Sequence, residues 1–341
     1  MYGTDNHIYC RPARTNRAVI KNLSLPHSTV FYVVFIISTH YISFLTSSQQ
    51  AATMEELPVI DKDVEKKFQA KFAIVRRVAS TLVEQALRSD ESGGKPDLAL
   101  AREQQKKYID NLRDLGIDVH EFDSDDRLPD CCFVEDVAVC HDGIALINRP
   151  GHPTRQGEVD VVRRVLSFDL GQKVVEMSEQ EGATLDGGDV LFTGKEFFVG
   201  LSQRTNMKGA MFLADTFENY PVSPIKLSDG SLHLKSFMSM ASPGVIAVGS
   251  SKDAQKALKE IESKASFKYS KVTLPDDVAA NCVYVNRTLI HCSHEDFPES
   301  AKKFEALFPH THRIEMPNSE FRKVDGALTC RSILIQKKPK A

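Results

Sequence analysis

The chain has 341 residues, of which 42% are hydrophobic and 26% are charged, and its formal net charge is −3. This composition is typical of a globular protein with a large core, and the small negative charge argues against a nucleic acid as the partner. The seven cysteines show neither the spacing of a disulfide framework nor that of a zinc finger, which indicates reduced thiols in a reducing compartment.

The first 53 residues differ from the rest. Residues 1–27 carry four basic side chains and one acid, and an apolar stretch of 18 residues follows at 29–46. A membrane span needs about 20 such residues, so three interpretations stay open: a signal or anchor segment, an organelle-targeting leader, or an extension outside the fold. Because Met54 opens a charged, helix-forming sequence, we treat residues 1–53 as an extension and 54–341 as one domain. We expect a cytoplasmic location, with a membrane-associated or organelle-targeted one as the alternative.

Short strand-like runs alternate with amphipathic helical segments from Phe72 onward. The run Phe72–Val78 predicts a strand, and the apolar spacing over Asp97–Leu115 predicts a helix. Four strand pairs, each bent at a turn, follow at Val137–Arg149, Asp189–Ser202, Met240–Ser251 and Asn281–Ser293. The helices predicted after these pairs are Glu158–Phe168, Lys208–Tyr220, Asp253–Ser263 and Glu299–Phe308.

The strand pairs begin roughly 40 to 50 residues apart, a spacing typical of repeat architectures. A fifth unit is expected from the two ends of this region, with the run Leu328–Ile335 beside Phe72–Val78. Such pairing closes a ring and removes exposed sheet edges. The sequence therefore predicts an α/β fold, a five-bladed propeller with strand ends around a central active-site channel.

Cys330 lies near the mouth of the last predicted strand, after the turn signal Asp325-Gly326. A lone strand cysteine is usually a small hydrophobic residue, and a histidine between two leucines, such as His233, is more often structural. The predicted ring brings both residues to one pocket, where an imidazole can accept the proton of a thiol. Together they form a candidate nucleophile and its base.

Acidic side chains cluster at two of the predicted strand ends. The clusters contain Asp130, Glu135 and Asp136 in one segment, and Asp186 and Asp189 around Gly187-Gly188 in the other. Unpaired buried carboxylates are costly, so these clusters indicate a cationic guest, and a guanidinium matches paired carboxylate oxygens best. Such a cation would also lower the pKa of the neighbouring thiol.

Two arginines are candidates for binding the carboxylate of an amino acid substrate. Arg155 and Arg204 each follow a strand pair and are therefore predicted at the rim of the pocket. Each arginine alone is more often a surface residue, so both interpretations stay open.

Seven segments, in the order in which they occur, resemble dimethylarginine dimethylaminohydrolase over about Ala73 to Lys337. They are LPDCCFVEDVAV, NRPGHPTRQGEVD, TLDGGDVLF, FFVGLSQRTN, LHLKSF, DDVAANCVYVN and KVDGALTC. That family belongs to the pentein, or guanidino-group modifying, superfamily, so the resemblance implies a pentein-type five-bladed α/β propeller. It also implies hydrolysis of asymmetric dimethyl-L-arginine and monomethyl-L-arginine to L-citrulline and an amine through a covalent cysteine adduct, which would relieve inhibition of nitric oxide synthase.

The resemblance also assigns roles to individual residues. Cys330 takes the place of the nucleophile, His233 that of the general acid and base, and Asp186 would orient His233. The implied substrate contacts are Asp136 and Asp325 for the guanidinium, Glu135 for the pocket wall, Asp130 with the backbone carbonyls of Leu87 and Val324 for the α-amino group, and Arg155 and Arg204 for the α-carboxylate. The glycines and serines after Leu87 suit the mobile lid expected in this family.

The implied reaction needs no metal or other cofactor, although zinc could bind to Cys330 and His233 as an inhibitor. The expected partner is a small methylated arginine, with no nucleic acid and no membrane unless residues 29–46 act as an anchor; the expected assembly is a monomer or a weak homodimer. Vertebrate members often carry a second cysteine after the nucleophile, where this chain has Arg331. Strand alternation predicts that Arg331 points to the other face, with little effect on the chemistry.

Two alternatives remain. A deiminase or amidinotransferase of the same superfamily would share the thiol, the histidine and the acids, but such relatives usually carry inserted or appended domains, and residues 54–341 are just enough for five blades. A propeller that only binds ligands would be expected to lack at least one of Cys330, His233 or Asp186, and the sequence contains all three.

Overall fold

The computed structural model describes residues 60–336. The predicted extension, residues 1–53 with the apolar stretch at 29–46, lies outside the described residues. No helix within residues 60–336 combines the length and the apolar composition needed to cross a bilayer.

The strands of residues 60–336 form five sheets of three strands, each built to one pattern. The middle strand pairs antiparallel with one neighbour and parallel with the other. A tight turn suffices for the antiparallel pair, whereas the parallel pair needs a crossover that contains a helix. In chain order the strands are β1 (Phe72–Arg76), β2 (Asp118–Phe122), β3 (Ala138–His141), β4 (Ile144–Ile147), β5 (Lys173–Glu176), β6 (Val190–Phe192), β7 (Phe197–Leu201), β8 (Val222–Lys226), β9 (Met238–Ser242), β10 (Val245–Gly249), β11 (Ser270–Leu274), β12 (Val283–Val285), β13 (Thr288–Cys292), β14 (His312–Met316) and β15 (Ile333–Ile335).

The five sheets are the blades of the propeller. Strands β3, β6, β9, β12 and β15 are the inner strands, and several of them contact the inner strand of the next blade. The fifth blade joins the two ends of the region, because β15 pairs antiparallel with β1, with Phe72 opposite Ile335 and Ile74 opposite Ile333. The predicted five-bladed α/β propeller, including its closure, is therefore confirmed.

Crossover helices link the middle strand of each blade to its outer strand. All five predicted helices are present, with ends shifted by up to four residues, and side-chain caps start three of them: Asp97, Asn206 and Ser251 each accept hydrogen bonds from backbone amides of the first turn. The α-helices are α1 (Lys62–Lys66), α2 (Leu82–Gln85), α3 (Leu98–Asp114), α4 (Val159–Arg164), α5 (Met207–Thr216), α6 (Lys252–Lys264), α7 (Pro298–Leu307) and α8 (Ser319–Arg322), and α4 continues as a π-helical turn over Val165–Asp169.

The hairpin turns fall where the sequence predicts them. At Asn286-Arg287 both residues have positive φ, 48° and 66°, and Asp142-Gly143 likewise has φ of 48° and 81°. Two consecutive residues with positive φ match the right-handed twist of the flanking strands, which is why these turns join antiparallel neighbours so tightly.

The outer strands were not predicted. Strand β11 alternates between exposed and buried residues and begins Ser270-Lys271, and β14 begins with an exposed histidine. An edge strand with one solvated face has a weak hydrophobic pattern, so the sequence shows only the two buried strands of each blade.

A short 3₁₀ turn precedes each inner strand, and we call these five segments the axial turns. Four of the five pairs of neighbouring axial turns contact each other, in the order of the blades. Because they all lie at the same end of the inner strands, their side chains meet near the axis. The axial turns are Val134–Val137, Gly187–Asp189, Leu234–Ser236, Val278–Ala280 and Thr329–Arg331.

Candidate active site

Cys330 is the central residue of the last axial turn. It lines a cavity of about 240 Å³ that His233 also lines. The thiol is buried, and the amide of Ala327 lies 3.4 Å from its Sγ. Burial, and after it the negative charges of Glu135 and Asp136, raises the pKa of Cys330 above that of an ordinary thiol. The thiol therefore stays protonated at neutral pH unless a cation lies beside it.

Thr329 fixes the turn that carries Cys330. Its hydroxyl donates to Oε2 of Glu135 at 2.7 Å, and its backbone N–H donates to Oδ1 of Asn281 at 2.9 Å. Nδ2 of Asn281 donates to Oγ1 of Thr329 at 3.0 Å and to the carbonyl of Lys235 at 2.9 Å. These hydrogen bonds join three axial turns and Asn281, the residue after a fourth, so the position of the thiol depends on several blades.

Glu135 is bound to a lysine that lines the cavity of Cys330. Nζ of Lys235 donates to Oε1 of Glu135 at 2.6 Å, and Lys235 lines the cavity of Cys330. Glu135 itself lines a second cavity of about 150 Å³. Burial raises the pKa of Glu135, although Lys235 opposes this rise. Glu135 thus reaches the cavity of Cys330 through Lys235, and its place in the pocket wall stays a prediction.

The imidazole of His233 is held by a buried carboxylate. Nε2 of His233 donates to Oδ2 of Asp186 at 3.0 Å, and the other oxygen of Asp186 accepts the N–H of Gly151 at 2.8 Å. Asp186 is completely buried. The contact on which its predicted orienting role depends is thus present.

Gly188 and Asp136 lie against the other side of the imidazole. A Cβ at Gly188 would be 2.5 Å from Nδ1 of His233, so only a glycine allows this close approach. The N–H of Gly188 donates to Oδ1 of Asp136 at 2.8 Å, and Nη1 of Arg155 donates to Oδ2 at 2.6 Å. Asp136 is therefore held rigidly next to His233.

The charges of this cluster decide its protonation. Burial opposes the positive charge of His233, but Asp136 and the hydrogen bond to Asp186 raise its pKa to about 9. Burial likewise opposes the charge of Asp136, but His233 and Arg155 lower its pKa to about 2. At neutral pH an imidazolium therefore faces an ionised carboxylate, the protonation state that a general acid requires.

Arg155 lies in the floor of the site and not at the predicted rim. Its guanidinium donates to both carboxylate oxygens of Glu158, to Asp136 and to the carbonyl of Phe133, and its side chain is 5% exposed. Arg155 follows a strand pair, as predicted, but it lies in the 3₁₀ helix Pro153–Glu158, which directs its side chain inward to Asp136. A contact with a substrate carboxylate stays a prediction that requires an exchange of one of these bonds.

Arg204 has the freer guanidinium. It is 15% exposed, and its Nη1 lies 3.8 Å from Oδ2 of Asp186, too far for a hydrogen bond. The structure therefore leaves Arg204, rather than Arg155, with donors available to a ligand carboxylate.

The predicted contacts for the α-amino group lie beside the segment after Leu87, the predicted lid. Both oxygens of Asp130 accept the N–H of Leu87, at 3.1 and 3.3 Å, and burial raises the pKa of Asp130. Val324 is buried next to Asp325, whose φ is 58°. The carboxylate of Asp325 accepts the backbone N–H of Ser89 at 2.5 Å and its hydroxyl at 2.8 Å. A contact between Asp325 and a guanidinium therefore stays a prediction that requires the lid residue Ser89 to give up these bonds.

Arg331 corrects the prediction made from strand alternation. It belongs to the axial turn and not to β15, so alternation does not apply. Its side chain is completely buried and its guanidinium lies over the rings of Tyr108 and Phe321, 4.6 and 4.3 Å from their centroids. It does point away from the cavity, but into the core rather than to a second face of a sheet.

Sequence reasoning missed several residues that build the site: Lys235, Asn281, Thr329 and the role of Asp189, which accepts the N–H of Leu234 at 2.9 Å. Lys235 is two residues from His233, and Thr329 directly precedes Cys330. This proximity in sequence was the one indication that they belong to the site. Their hydrogen bonds cross between blades, so the partners could not be read from the sequence.

One group of possible metal ligands occurs within residues 60–336: Asp136, Asp186 and His233, whose ligand atoms lie within 4.8 Å of one another. Asp136 is already paired with Arg155, and Asp186 with His233. These pairs balance the charge of the cluster without an ion. Inhibitory zinc at Cys330 and His233 stays a prediction.

A closed five-bladed α/β propeller with a buried cysteine, a carboxylate-bound histidine and further carboxylates at its axis defines the pentein class of enzymes. The profile of the family "N,N dimethylarginine dimethylhydrolase, eukaryotic" matches residues 79–274. The chain belongs to this dimethylarginine dimethylaminohydrolase family.

Individual relatives agree with this assignment. The human protein named "Putative hydrolase DDAH2" is 38% identical over 277 residues, which cover 78% of this chain and 95% of the relative. The N(G),N(G)-dimethylarginine dimethylaminohydrolase of Pseudomonas aeruginosa is 32% identical over 268 residues, 77% of this chain and 98% of the relative. A structure of a mutant of the Pseudomonas enzyme complexed with citrulline superimposes with a TM-score of 0.68 at 29% identity, over 78% of this chain and all of that one.

Proposed function

We propose that this chain hydrolyses asymmetric dimethyl-L-arginine and monomethyl-L-arginine to L-citrulline and dimethylamine or methylamine. The observation that carries the proposal is the cavity that Cys330 and His233 line together, with His233 hydrogen-bonded to Asp186. A thiol and an imidazolium on one cavity are the groups needed for attack on a guanidinium carbon and for protonation of the leaving amine. The family names the substrate class.

Recognition of the substrate would rest on charge. Asp136 is ionised at neutral pH beside His233 and would attract the guanidinium, and Asp325 lines the cavity of Cys330 and His233. Arg204 would bind the α-carboxylate. Asp130, with the carbonyls of Leu87 and Val324, would bind the α-amino group, and the lid bond between Ser89 and Asp325 would then have to adjust.

The first half-reaction forms the covalent adduct. When the guanidinium binds, its positive charge offsets the burial that keeps the Cys330 thiol protonated, and the thiol loses its proton to solvent. The Sγ thiolate attacks the central guanidinium carbon and forms an S–C bond. His233 donates its proton to the methylated nitrogen, the C–N bond breaks, and the neutral amine leaves. A cationic thiouronium adduct on Cys330 and a neutral His233 remain.

The second half-reaction consumes water. Neutral His233 takes a proton from water as the oxygen adds to the adduct carbon. The S–C bond then breaks, the remaining hydroxyl proton passes to the departing sulfur of Cys330, and the C=O bond of citrulline forms. Cys330 returns to its thiol and His233 to its imidazolium, so each group ends as it began.

The test compares citrulline release by the wild type with that of Cys330→Ser. Cys140→Ser is the matched control, because it removes a half-buried thiol that lies in β3 and not on the cavity of Cys330. We expect no turnover in Cys330→Ser, with methylarginine binding still measurable by calorimetry, and full turnover in Cys140→Ser. Mass spectrometry of an acid-quenched reaction should show the adduct on Cys330 alone.

Two results would contradict the proposal. Faster turnover of arginine than of its methylated forms would favour a deiminase, and the absence of citrulline from the wild type and the variant alike would favour a propeller that only binds its ligand. The proposal also includes a cytoplasmic location and a monomer or weak homodimer, which fractionation and sedimentation would test.

A further inference from the structure

Arg331 follows the nucleophile directly, and its buried guanidinium has only neutral hydrogen-bond partners. Nε donates to Oε1 of Gln105 at 2.8 Å, Nη1 to Oδ1 of Asn318 at 3.1 Å and Nη2 to the carbonyl of Gln104 at 2.5 Å. No carboxylate within residues 60–336 forms an ion pair with it. The positive charge is therefore held in the core without a paired carboxylate.

Three other cations near the site each lie beside a carboxylate. Lys235 is paired with Glu135, Arg155 with Asp136 and Glu158, and Arg204 lies 3.8 Å from Asp186. Each of these charges has a carboxylate partner, although Lys235 still lowers the pKa of Cys330. Arg331 differs from all three, because its neighbours are amides and aromatic rings.

A buried charge without a counter-ion is costly, so its retention calls for a compensating interaction. The faces of Tyr108 and Phe321 supply part of it through cation–π contacts. Burial lowers the pKa of Arg331 to about 10, which leaves it charged at neutral pH. The remaining compensation is available one residue away, when Cys330 becomes a thiolate.

We propose that Arg331 is a positioning residue that stabilises the thiolate of Cys330 through its uncompensated charge and fixes the turn that carries the thiol. The proposal deepens the proposed function and rests on it. Three hydrogen bonds and two rings hold the guanidinium in place. A charge so fixed loses little energy to reorganisation when the thiolate forms.

Several other charged or titratable groups face Cys330. Those that oppose the thiolate are Glu135 and Asp136 from the first axial turn and Asp325 from the loop before Cys330, and those that favour it are His233 and Lys235 from the third axial turn and Arg322 from α8. All of them stay unchanged when only Arg331 is varied. A difference between Arg331 variants therefore isolates its own charge.

The experiment measures alkylation of Cys330 by iodoacetamide at a fixed pH below the pKa of the thiol, with Cys330→Ser as the background for the other cysteines. A rise of one unit in the thiol pKa lowers the thiolate fraction about tenfold and raises its nucleophilicity, which leaves the rate about threefold lower. We expect at least this loss in Arg331→Met, and a rate within about twofold of the wild type in Arg331→Lys, which keeps the charge. An unchanged rate in folded Arg331→Met, or an equal loss in both variants, would overturn the proposal.

Gln105→Glu provides a test that leaves Arg331 in place. Its carboxylate would lie on Nε of Arg331 and cancel the charge, so alkylation should slow as in Arg331→Met; an unchanged rate would overturn the proposal even if Arg331→Met does not fold. For methylarginine turnover, we expect kcat to fall with little change in KM, because Arg331 does not line the cavity. Alkylation needs no substrate, so it tests the role of Arg331 independently of turnover. A wild type that does not turn over methylarginine would refute the proposed function, and the alkylation rates would still show whether Arg331 stabilises the thiolate.

Discussion

Gly188→Ala tests whether the backbone beside His233 sets the position of the general acid. The added Cβ would lie 2.5 Å from Nδ1 and 2.8 Å from Cγ of His233, and 3.0 Å from Oδ1 of Asp136. The first distance is about 1 Å shorter than an ordinary van der Waals contact, and the imidazole is packed too tightly to absorb this without moving. His233 must therefore shift relative to Cys330.

A displacement of about 1 Å in a catalytic group can cost about 100-fold in rate. We expect kcat for methylarginine to fall by roughly that factor in Gly188→Ala, while overpacking lowers the free energy of unfolding by about 1–3 kcal/mol. Measurement of the citrulline formed in reactions quenched at fixed times gives kcat and KM. Thermal unfolding shows whether the variant is folded at the assay temperature.

Gly157→Ala is the matched control, because the nearest atom to its added Cβ is Cδ2 of Leu128 at 3.6 Å, an ordinary contact. It should retain wild-type kcat. The reasoning fails if Gly188→Ala turns over at the wild-type rate, or if Gly157→Ala loses as much activity as Gly188→Ala does.

Three further predictions follow from the same contacts. The pKa of His233 is raised from 6.5 to about 9, so its charge stabilises the fold fully below about pH 6.5, and this stabilisation is lost as the pH rises through 9. Between these pH values, the free energy of unfolding of the wild type should fall by roughly 3 kcal/mol more than that of His233→Asn, as measured by denaturant titration. Equal falls in the two proteins would refute the assignment. Arg204→Gln should raise KM for methylarginine about 100-fold with a smaller change in kcat, because it removes a charged contact to the α-carboxylate, and an unchanged KM would exclude that contact. Ser89→Ala removes the hydroxyl that donates to Asp325 and should increase amide hydrogen exchange in residues 88–96, whereas equal exchange would show that this bond does not hold the lid.

The blades are visible in the sequence because the inner and middle strands of each blade are buried. Paired apolar runs with a Gly or Asn turn between them predict hairpins such as β3–β4 and β12–β13, and their regular spacing predicts a ring. The outer strands escape prediction, since an edge strand such as β11 needs only one apolar face.

The sequence also supplies the identity of the reactive residues. Cys330, His233 and Asp186 occur in segments that resemble one family, and the resemblance assigns them roles before any distance is known. It does not show that Arg155 is committed to Asp136 and Glu158, or that Lys235 covers Glu135. Such pairings join side chains from different blades or from opposite ends of a turn.

The sequence by itself determined the repeated unit, the closure of the ring and the residue types at its axis, because these depend on local hydrophobic pattern and motif. Only the tertiary structure decided the protonation of the site. The pKa values of Cys330, His233 and Asp136 depend on burial and on charges that separate axial turns, their flanking residues and Arg155 bring together. The same reason explains Arg331, whose sequence position suggested an inert side chain and whose fixed, uncompensated charge depends on neighbours from α3 and the loop before α8.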